Sequence, residues 1–261
     1  MGDAWLRALV AVPFGLAIGS FMTVVASRVP AGESVLRPRS RCPSCGAEIR
    51  NRDNVPVISY LLLRGRCRSC GARIPARYPA LELSTAVLVV AGAAAYERVW
   101  VAIMIAAFLA LMPAIAWIDI ERRIIPNRIT YPAFVGFALF VVVARLADGG
   151  TDPVRGLIGA LLYGGVLFVV AVISRGMGMG DVKLALVIGV VLGSIGLAMV
   201  GVAAAAAVLF GGVGGVVALL IGRDRKSMIP FGPYMAAGAI VASFWGAPIA
   251  DWYLGAFTAT L

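Results

Sequence analysis

Eight long apolar stretches divide the chain, near residues 5–27, 80–96, 99–118, 130–147, 155–174, 182–195, 197–221 and 232–250. A lipid-spanning helix needs about 20 predominantly apolar residues. Backbone in lipid must satisfy its own N–H and C=O groups, which leaves helices and closed barrels. The stretches show no apolar–polar alternation at strand spacing, so they read as helices and not as a barrel. Composition agrees: 61% of the 261 residues are hydrophobic and 14% charged, against roughly half and about a quarter in a soluble domain. The expected fold is an all-α polytopic membrane protein with about eight transmembrane helices. Residues 1–27 form the first helix, 28–78 a hydrophilic cytoplasmic segment, and 79–261 the remaining transmembrane core. The first stretch has one early cation, Arg7, as a signal peptide would, but it is long and lacks a small-x-small cleavage site.

The net charge of +10 is unevenly distributed. Eleven arginines and three acids (Glu33, Glu48, Asp53) lie between Arg28 and Arg77. Such a basic face also suits nucleic acid. Directly after a spanning helix it instead marks the cytoplasmic side, and no nucleic-acid partner is expected. With the segments alternating, 19 of the 23 cations fall inside, and Arg7, Arg98, Arg145 and Arg155 outside.

That basic segment holds all four cysteines, as Cys42-Pro-Ser-Cys45-Gly and Cys67-Arg-Ser-Cys70-Gly, with 21 residues between the pairs. Two Cys-x-x-Cys turns complete a tetrahedral four-thiolate zinc site. Disulfides or a redox dithiol are the competing reading, and a reducing cytosol disfavours structural disulfides. Four protein ligands leave no open coordination position, so the zinc would be structural. The segment is too short to build a large core, so metal would supply much of its folding energy. Between the pairs, Asn54 to Gly65 is an apolar patch that would lie on the membrane or pack on the metal unit.

Two acids lie beside apolar stretches. Asp119 ends the third stretch, and Asp181 follows Gly176-Met177-Gly178-Met179-Gly180 and begins the sixth. A lone acid at either place has an ordinary explanation. Asp119 would pair with Arg122 or Arg123 at the interface, and Asp181 would cap its helix. Topology, however, brings both to one side at one depth. An N-cap does not need Gly176, Gly178 and Gly180 before it; glycines remove bulk and allow φ > 0, so an extended peptide substrate can approach. Two neighbouring carboxylates in a partly dry site share one proton. One then activates water while the other polarises a carbonyl, the aspartic-protease pattern. The chain has no His, which excludes Ser-His-Asp and Cys-His mechanisms and His-Glu-x-x-His metalloprotease chemistry.

Glu82 follows Arg77-Tyr78-Pro79 at the entry to the second stretch. It reads equally as a helix-dipole partner and as a carboxylate facing a cytoplasmic pocket. The Ala- and Gly-rich seventh stretch (Ala203 to Ala207, Gly211 to Gly215) reads as close helix packing. Ile229-Pro230-Phe231-Gly232-Pro233-Tyr234 opens the last stretch and would wall the mouth of the site.

Taken together, these segments resemble the bacterial type IV prepilin peptidases (prepilin leader peptidase/N-methyltransferase), polytopic aspartyl proteases of the GxGD type. The resemblance rests on Gly19-Ser20-Phe21 with Arg28-Val29-Pro30, the two cysteine pairs with Asn54 to Gly65, and Tyr78-Pro79 with Glu82-Leu83. It continues through Asp119 with Ile125-Pro126, Gly178-Met179-Gly180-Asp181-Val182-Lys183-Leu184, and Pro230-Phe231-Gly232-Pro233. It implies that Asp119 and Asp181 are the catalytic pair, and that prepilin or pseudopilin leaders are cut on the cytoplasmic side of the inner membrane. It also implies methylation of the new amine from S-adenosylmethionine, zinc at Cys42, Cys45, Cys67 and Cys70, and a methyltransferase role for Glu82. Members often carry Asn where this chain has Thr23, and Asp where it has Glu121 and Asn127. A peptidase-only member is the alternative that Thr23 keeps open. A proton-coupled transporter or a non-catalytic scaffold is the alternative from another class.

Overall fold

The computed structural model describes residues 3–174, 177–221 and 230–258. Arg175, Gly176, Arg223, Arg225, Lys226 and Ile229, which the sequence reading uses, lie outside the described residues. Among the described residues the regular elements are helical, with β-pairing confined to two isolated bridges, Arg41–Glu48 and Arg66–Arg73.

Helix α1 spans Ala4–Arg28, and a 3-10 turn at Val29–Ala31 extends it. The hydrophilic segment contains a short α2, Ile58–Leu62. Then follow α3 (Arg77–Ala95), α4 (Val99–Arg122), α5 (Asn127–Asp148), α6 (Pro153–Ser174), α7 (Met179–Ile195), α8 (Leu197–Leu220) and α9 (Gly232–Thr258). Among the described residues, seven helices are long and apolar enough to cross a membrane: α1, α3, α4, α5, α6, α8 and α9. The sixth apolar stretch is also a helix, but α7 has only 17 residues, about 25 Å at 1.5 Å per residue. Its shortness is tolerated because it is surrounded by protein: Leu184, Ile188 and Leu192 are fully buried.

The core is built around α4. Met104, Ile105, Phe108, Leu109, Met112, Ile115 and Ile118 are all at most 1% exposed. Helices α3, α5 and α9 pack against it, and α7 joins it through α5 and α9. Outward-facing residues such as Val166, Val169, Val208 and Leu209 are apolar and more than half exposed, as a lipid-facing surface requires.

Apolar lipid supplies no hydrophobic drive between helices, so close contact depends on small residues. The α6–α7 pair shows this most strongly. Gly159 faces Gly189 and Gly193, Gly156 faces Val190 and Ser194, and an added methyl at Gly193 would lie 2.9 Å from the Arg155 carbonyl oxygen. Helices α8 and α9 meet similarly, with Gly211 under Phe231 and Gly214 under Tyr234. The close packing expected for the seventh stretch is therefore present, and the α6–α7 glycine seam accompanies it.

Candidate active site and metal centre

Helix α4 ends where Arg123 enters the left-handed region (φ 56) and its N–H donates to the Asp119 carbonyl at 2.9 Å. Pro126 then prevents continuation and precedes α5. Asp119 lies in the last turn of α4 and is 5% exposed. Its carboxylate forms no ion pair with Arg122 or Arg123 among the described residues. Instead Oδ2 accepts the N–H of Gly232 at 2.8 Å, from the start of α9.

Asp181 stands third in α7, behind Gly178 as N-cap, so it is a first-turn residue and not the cap. Its N–H donates to the Gly178 carbonyl at 3.1 Å. Gly178 has an ordinary extended backbone (φ −74, ψ 144), so left-handed freedom is not what this glycine supplies. Gly180 works through its missing side chain: a methyl there would lie 3.0 Å from Ile125 Cβ, in the turn that follows Asp119. The α4–α5 turn and the start of α7 are thus in contact. The two acids are near enough to interact electrostatically.

Two further side chains border this site. Tyr163 on α6 lies within electrostatic reach of Asp181, and its buried hydroxyl has no hydrogen-bond partner among the described residues. Nothing about one Tyr in an apolar run distinguishes it from core. Lys183 donates to Asn127 Oδ1 at 2.7 Å and lies over the Tyr131 ring at 5.0 Å, tying α7 to α5. A Lys two residues after the acid is the only hint of that link in the sequence.

The four cysteines converge. Their Sγ atoms all lie within 4.8 Å of one another, and Cys42 and Cys70 are 3.9 Å apart. A tetrahedral zinc with Zn–S near 2.3 Å places sulfurs about 3.8 Å apart, so the donor set fits. The two halves repeat one local structure. Cys42 N–H donates to Ala47 O and Cys67 N–H to Ala72 O, at 2.9 and 2.8 Å. Ile49 pairs with Ser40 and Ile74 with Gly65, both at 2.8 Å. Gly46 and Gly71 close the knuckles at φ 70 and 71, which any Cβ would resist. Backbone N–H groups of Cys45 and Ser44 push the Cys42 thiol down to about 6, so it is a ready thiolate. Cys70 is pushed up to about 11: the Ala72 backbone favours its thiolate, but hydrogen bonding with Cys45 and burial outweigh that. Arg68 grips Asp53 through three hydrogen bonds of 2.7–3.0 Å and holds that carboxyl below its ordinary range.

The apolar patch between the knuckles forms α2, with Leu61 and Leu62 outermost. Just before it, Pro56, Val57 and Ile58 make a γ-turn: Val57 has φ 62, ψ −48, and Ile58 N–H reaches Pro56 O at 2.6 Å. This turn is the strained kind, a cost of order 1–3 kcal/mol. It aims the Val57 N–H at Glu82 Oε2, 2.7 Å away. Glu82 is half-buried in the second turn of α3, beyond the reach of dipole stabilisation at the helix start. Arg77, in the first turn, is paired with Glu121 on α4 and flanked by Tyr78 and Trp117.

A helical membrane bundle with two acids at one end, joined to a four-cysteine unit that could hold a metal ion, defines a membrane-embedded candidate hydrolase. The family model for the bacterial peptidase A24 N-terminal domain matches residues 13–96, and that of the type IV leader peptidase family matches residues 103–220. The chain is 37% identical to a prepilin leader peptidase/N-methyltransferase of Bacillus subtilis, covering 92% of this chain and 95% of that one. It is 32% identical to a protein of the same name from Aeromonas hydrophila, with 98% and 97% covered. A Dichelobacter nodosus relative of that name is 34% identical, with 90% and 91% covered. No solved structure matches the chain. The chain belongs to the type IV leader peptidase family.

Proposed function

We propose that this protein is an aspartyl endopeptidase of the bacterial inner membrane. It removes the leader from type IV prepilin-like precursors on the cytoplasmic side and then N-methylates the new terminus. The observation that carries the peptidase reading is the convergence of Asp119 and Asp181 at one end of the bundle, where Gly180 packs on Ile125 and Gly232 binds Asp119. The names of the relatives support the substrate and both activities. The 19 cations expected at that end support its cytoplasmic placement.

In this reading the acids share one proton. The ionised member draws a proton from water, and the protonated member donates to the carbonyl oxygen as the tetrahedral species forms. The Gly232 N–H fixes one oxygen of Asp119, leaving the other free toward the substrate. The missing side chain of Gly178 leaves room beside Asp181 for an extended backbone, whereas the space at Gly180 is taken by Ile125. A proton-coupled transporter would place its acids along a path near mid-bilayer; these two lie at a helix end and a helix start.

Cys42, Cys45, Cys67 and Cys70 would hold zinc as a structural ion, which would tie the two knuckles of the segment to each other. S-adenosylmethionine supplies a methyl group made electrophilic by its sulfonium. The test uses purified protein and a prepilin substrate. Asp119→Asn and Asp181→Asn are each expected to abolish leader removal while the protein still inserts and folds. Normal cleavage by either variant would refute the pair.

A further inference from the structure

A cavity of about 290 Å³ lies between α1, α3 and the four-cysteine unit, away from Asp119 and Asp181. It stands at the small end of the range for ligand sites. Ser20 and Thr23 line it from α1, Asn54 and Tyr60 from the loop, and Tyr78 and Glu82 from α3. The floor is built closely: an added methyl at Gly19 would lie 2.5 Å from the Glu82 carbonyl oxygen, so α1 can pass α3 here only as glycine.

Glu82 is the unusual member. It is a half-buried carboxylate in a chain of net charge +10. Yet among the described residues no Lys or Arg lies within ion-pair distance of it. Four arginines also line the cavity without pairing with Glu82: Arg68 is held by Asp53, Arg28 donates to the Ser34 carbonyl at 3.1 Å, and Arg41 and Arg73 complete the lining. Glu82 receives a neutral N–H from Val57, delivered by a strained turn, and the Ser20 hydroxyl lies beside it. A buried charge is costly unless paired. A cation from outside the chain, small enough for the cavity, would supply the partner that Glu82 lacks among the described residues. Tyr60 and Tyr78 add aromatic surface of the kind that attracts a cation and stacks on a base.

We propose that this cavity binds the methyl donor, and that Glu82 is the carboxylate that holds the donor's sulfonium. The proposal rests on the methyltransferase reading above, in which the resemblance already implies a role for Glu82, and adds the location, what that carboxylate binds and the basis of discrimination. It also explains why a metal-stabilised loop accompanies the peptidase bundle: the loop forms one wall of the second site and reaches Glu82 through Val57. Donor and product differ by one positive charge, so a site built on a carboxylate prefers the sulfonium over the neutral thioether.

The test is equilibrium binding of S-adenosylmethionine and of S-adenosylhomocysteine to the full-length protein in detergent. Glu82→Gln keeps an acceptor for the Val57 N–H and removes only the charge. It is expected to weaken S-adenosylmethionine binding about tenfold or more, the loss of one charge-assisted contact, and to leave S-adenosylhomocysteine nearly unaffected. Thr23→Phe, which fills the cavity from α1, is expected to weaken both. Leader removal, performed at a separate site, reports that each variant is folded. If the wild type binds and methylates while Glu82→Gln retains its full preference for the sulfonium, the assignment of Glu82 is overturned and the methyltransferase reading stands. If the wild type itself neither binds the donor nor adds a methyl group to a cleaved pilin, the methyltransferase reading fails and the proposal falls with it.

Discussion

The N–H of Gly232 donates to the carboxylate of Asp119 at 2.8 Å, across 113 residues of chain. This bond joins the opening of α9 to the last turn of α4 and sets which Asp119 oxygen faces the site. A methyl at Gly232 would lie 2.7 Å from that oxygen. Gly232→Ala is therefore expected to lower kcat/KM for leader removal about tenfold or more, about 1.4 kcal/mol in the barrier. Steady-state cleavage of a prepilin peptide checks this, and wild-type kinetics would contradict it.

Gly180 makes a graded prediction. Its hypothetical methyl meets Ile125 Cβ at 3.0 Å, a contact that a shift of a few tenths of an ångström relieves. Two further methyls have no such relief. Cleavage is expected to fall modestly in Gly180→Ala and to be nearly lost in Gly180→Val, with folding retained. Equal activity in the two variants would show that the α4–α5 turn does not need to touch α7.

Glycines in the bundle differ in what they face, and their substitutions are expected to differ in sign. Gly189→Ala drives a methyl into the Gly159–Ala160 backbone of α6, and overpacking of this kind costs about 1–3 kcal/mol. Gly201 on α8 has nothing within 4 Å of an added methyl. Gly201→Ala is expected to stabilise by about 0.5–1 kcal/mol through helix preference alone. Thermal unfolding in detergent separates them: the midpoint drops for the first and rises slightly for the second.

The metal unit predicts a pH dependence. Backbone hydrogen bonds from Cys45 and Ser44 lower Cys42 to about 6 without metal, and metal binding favours the thiolate further. A lowered pKa means the stabilised form persists above it and is lost as pH falls through it. Protons compete with zinc for all four thiolates, so zinc is expected to stay bound at pH 7 and to be lost as the solution is acidified. The Asp53–Arg68 clamp, whose carboxyl is held below its ordinary range, survives that acidification and opens only in stronger acid. A chromophoric chelator titrated against pH checks this. Chelation at pH 7 is expected to unfold the loop and abolish methyl-donor binding while cleavage declines less; equal loss of both would contradict separate sites.

Much of the architecture was legible before any coordinates. The eight apolar stretches are all helices, because length and composition alone decide whether a segment suits lipid. The two Cys-x-x-Cys-Gly turns converge because a knuckle is a local structure, specified within six residues of sequence. Glu82 could not be resolved from the sequence. Its partner Val57 lies 25 residues away, across a strained turn that no periodicity announces. For a lone acid at position 119, the ordinary reading is a pair with Arg122 or Arg123, its nearest cations in sequence. The Asp119 carboxylate faces a backbone N–H from α9 instead, since a helix end has several directions to point and packing selects one.

The sequence by itself determined what is written in local chemistry: helical spans, a four-thiol knuckle pair, and two acids beside apolar segments. Those features depend on the residue types within one or two turns and on the solvent the segment must occupy. Only the tertiary structure decided which surfaces meet: α7 enclosed by its neighbours, Gly180 on Ile125, Gly232 on Asp119, and a cavity closed by α1 and α3 over Glu82. In lipid, helices associate through close packing and specific hydrogen bonds with no general hydrophobic drive, so the pairing depends on the fit of whole faces rather than on any short motif.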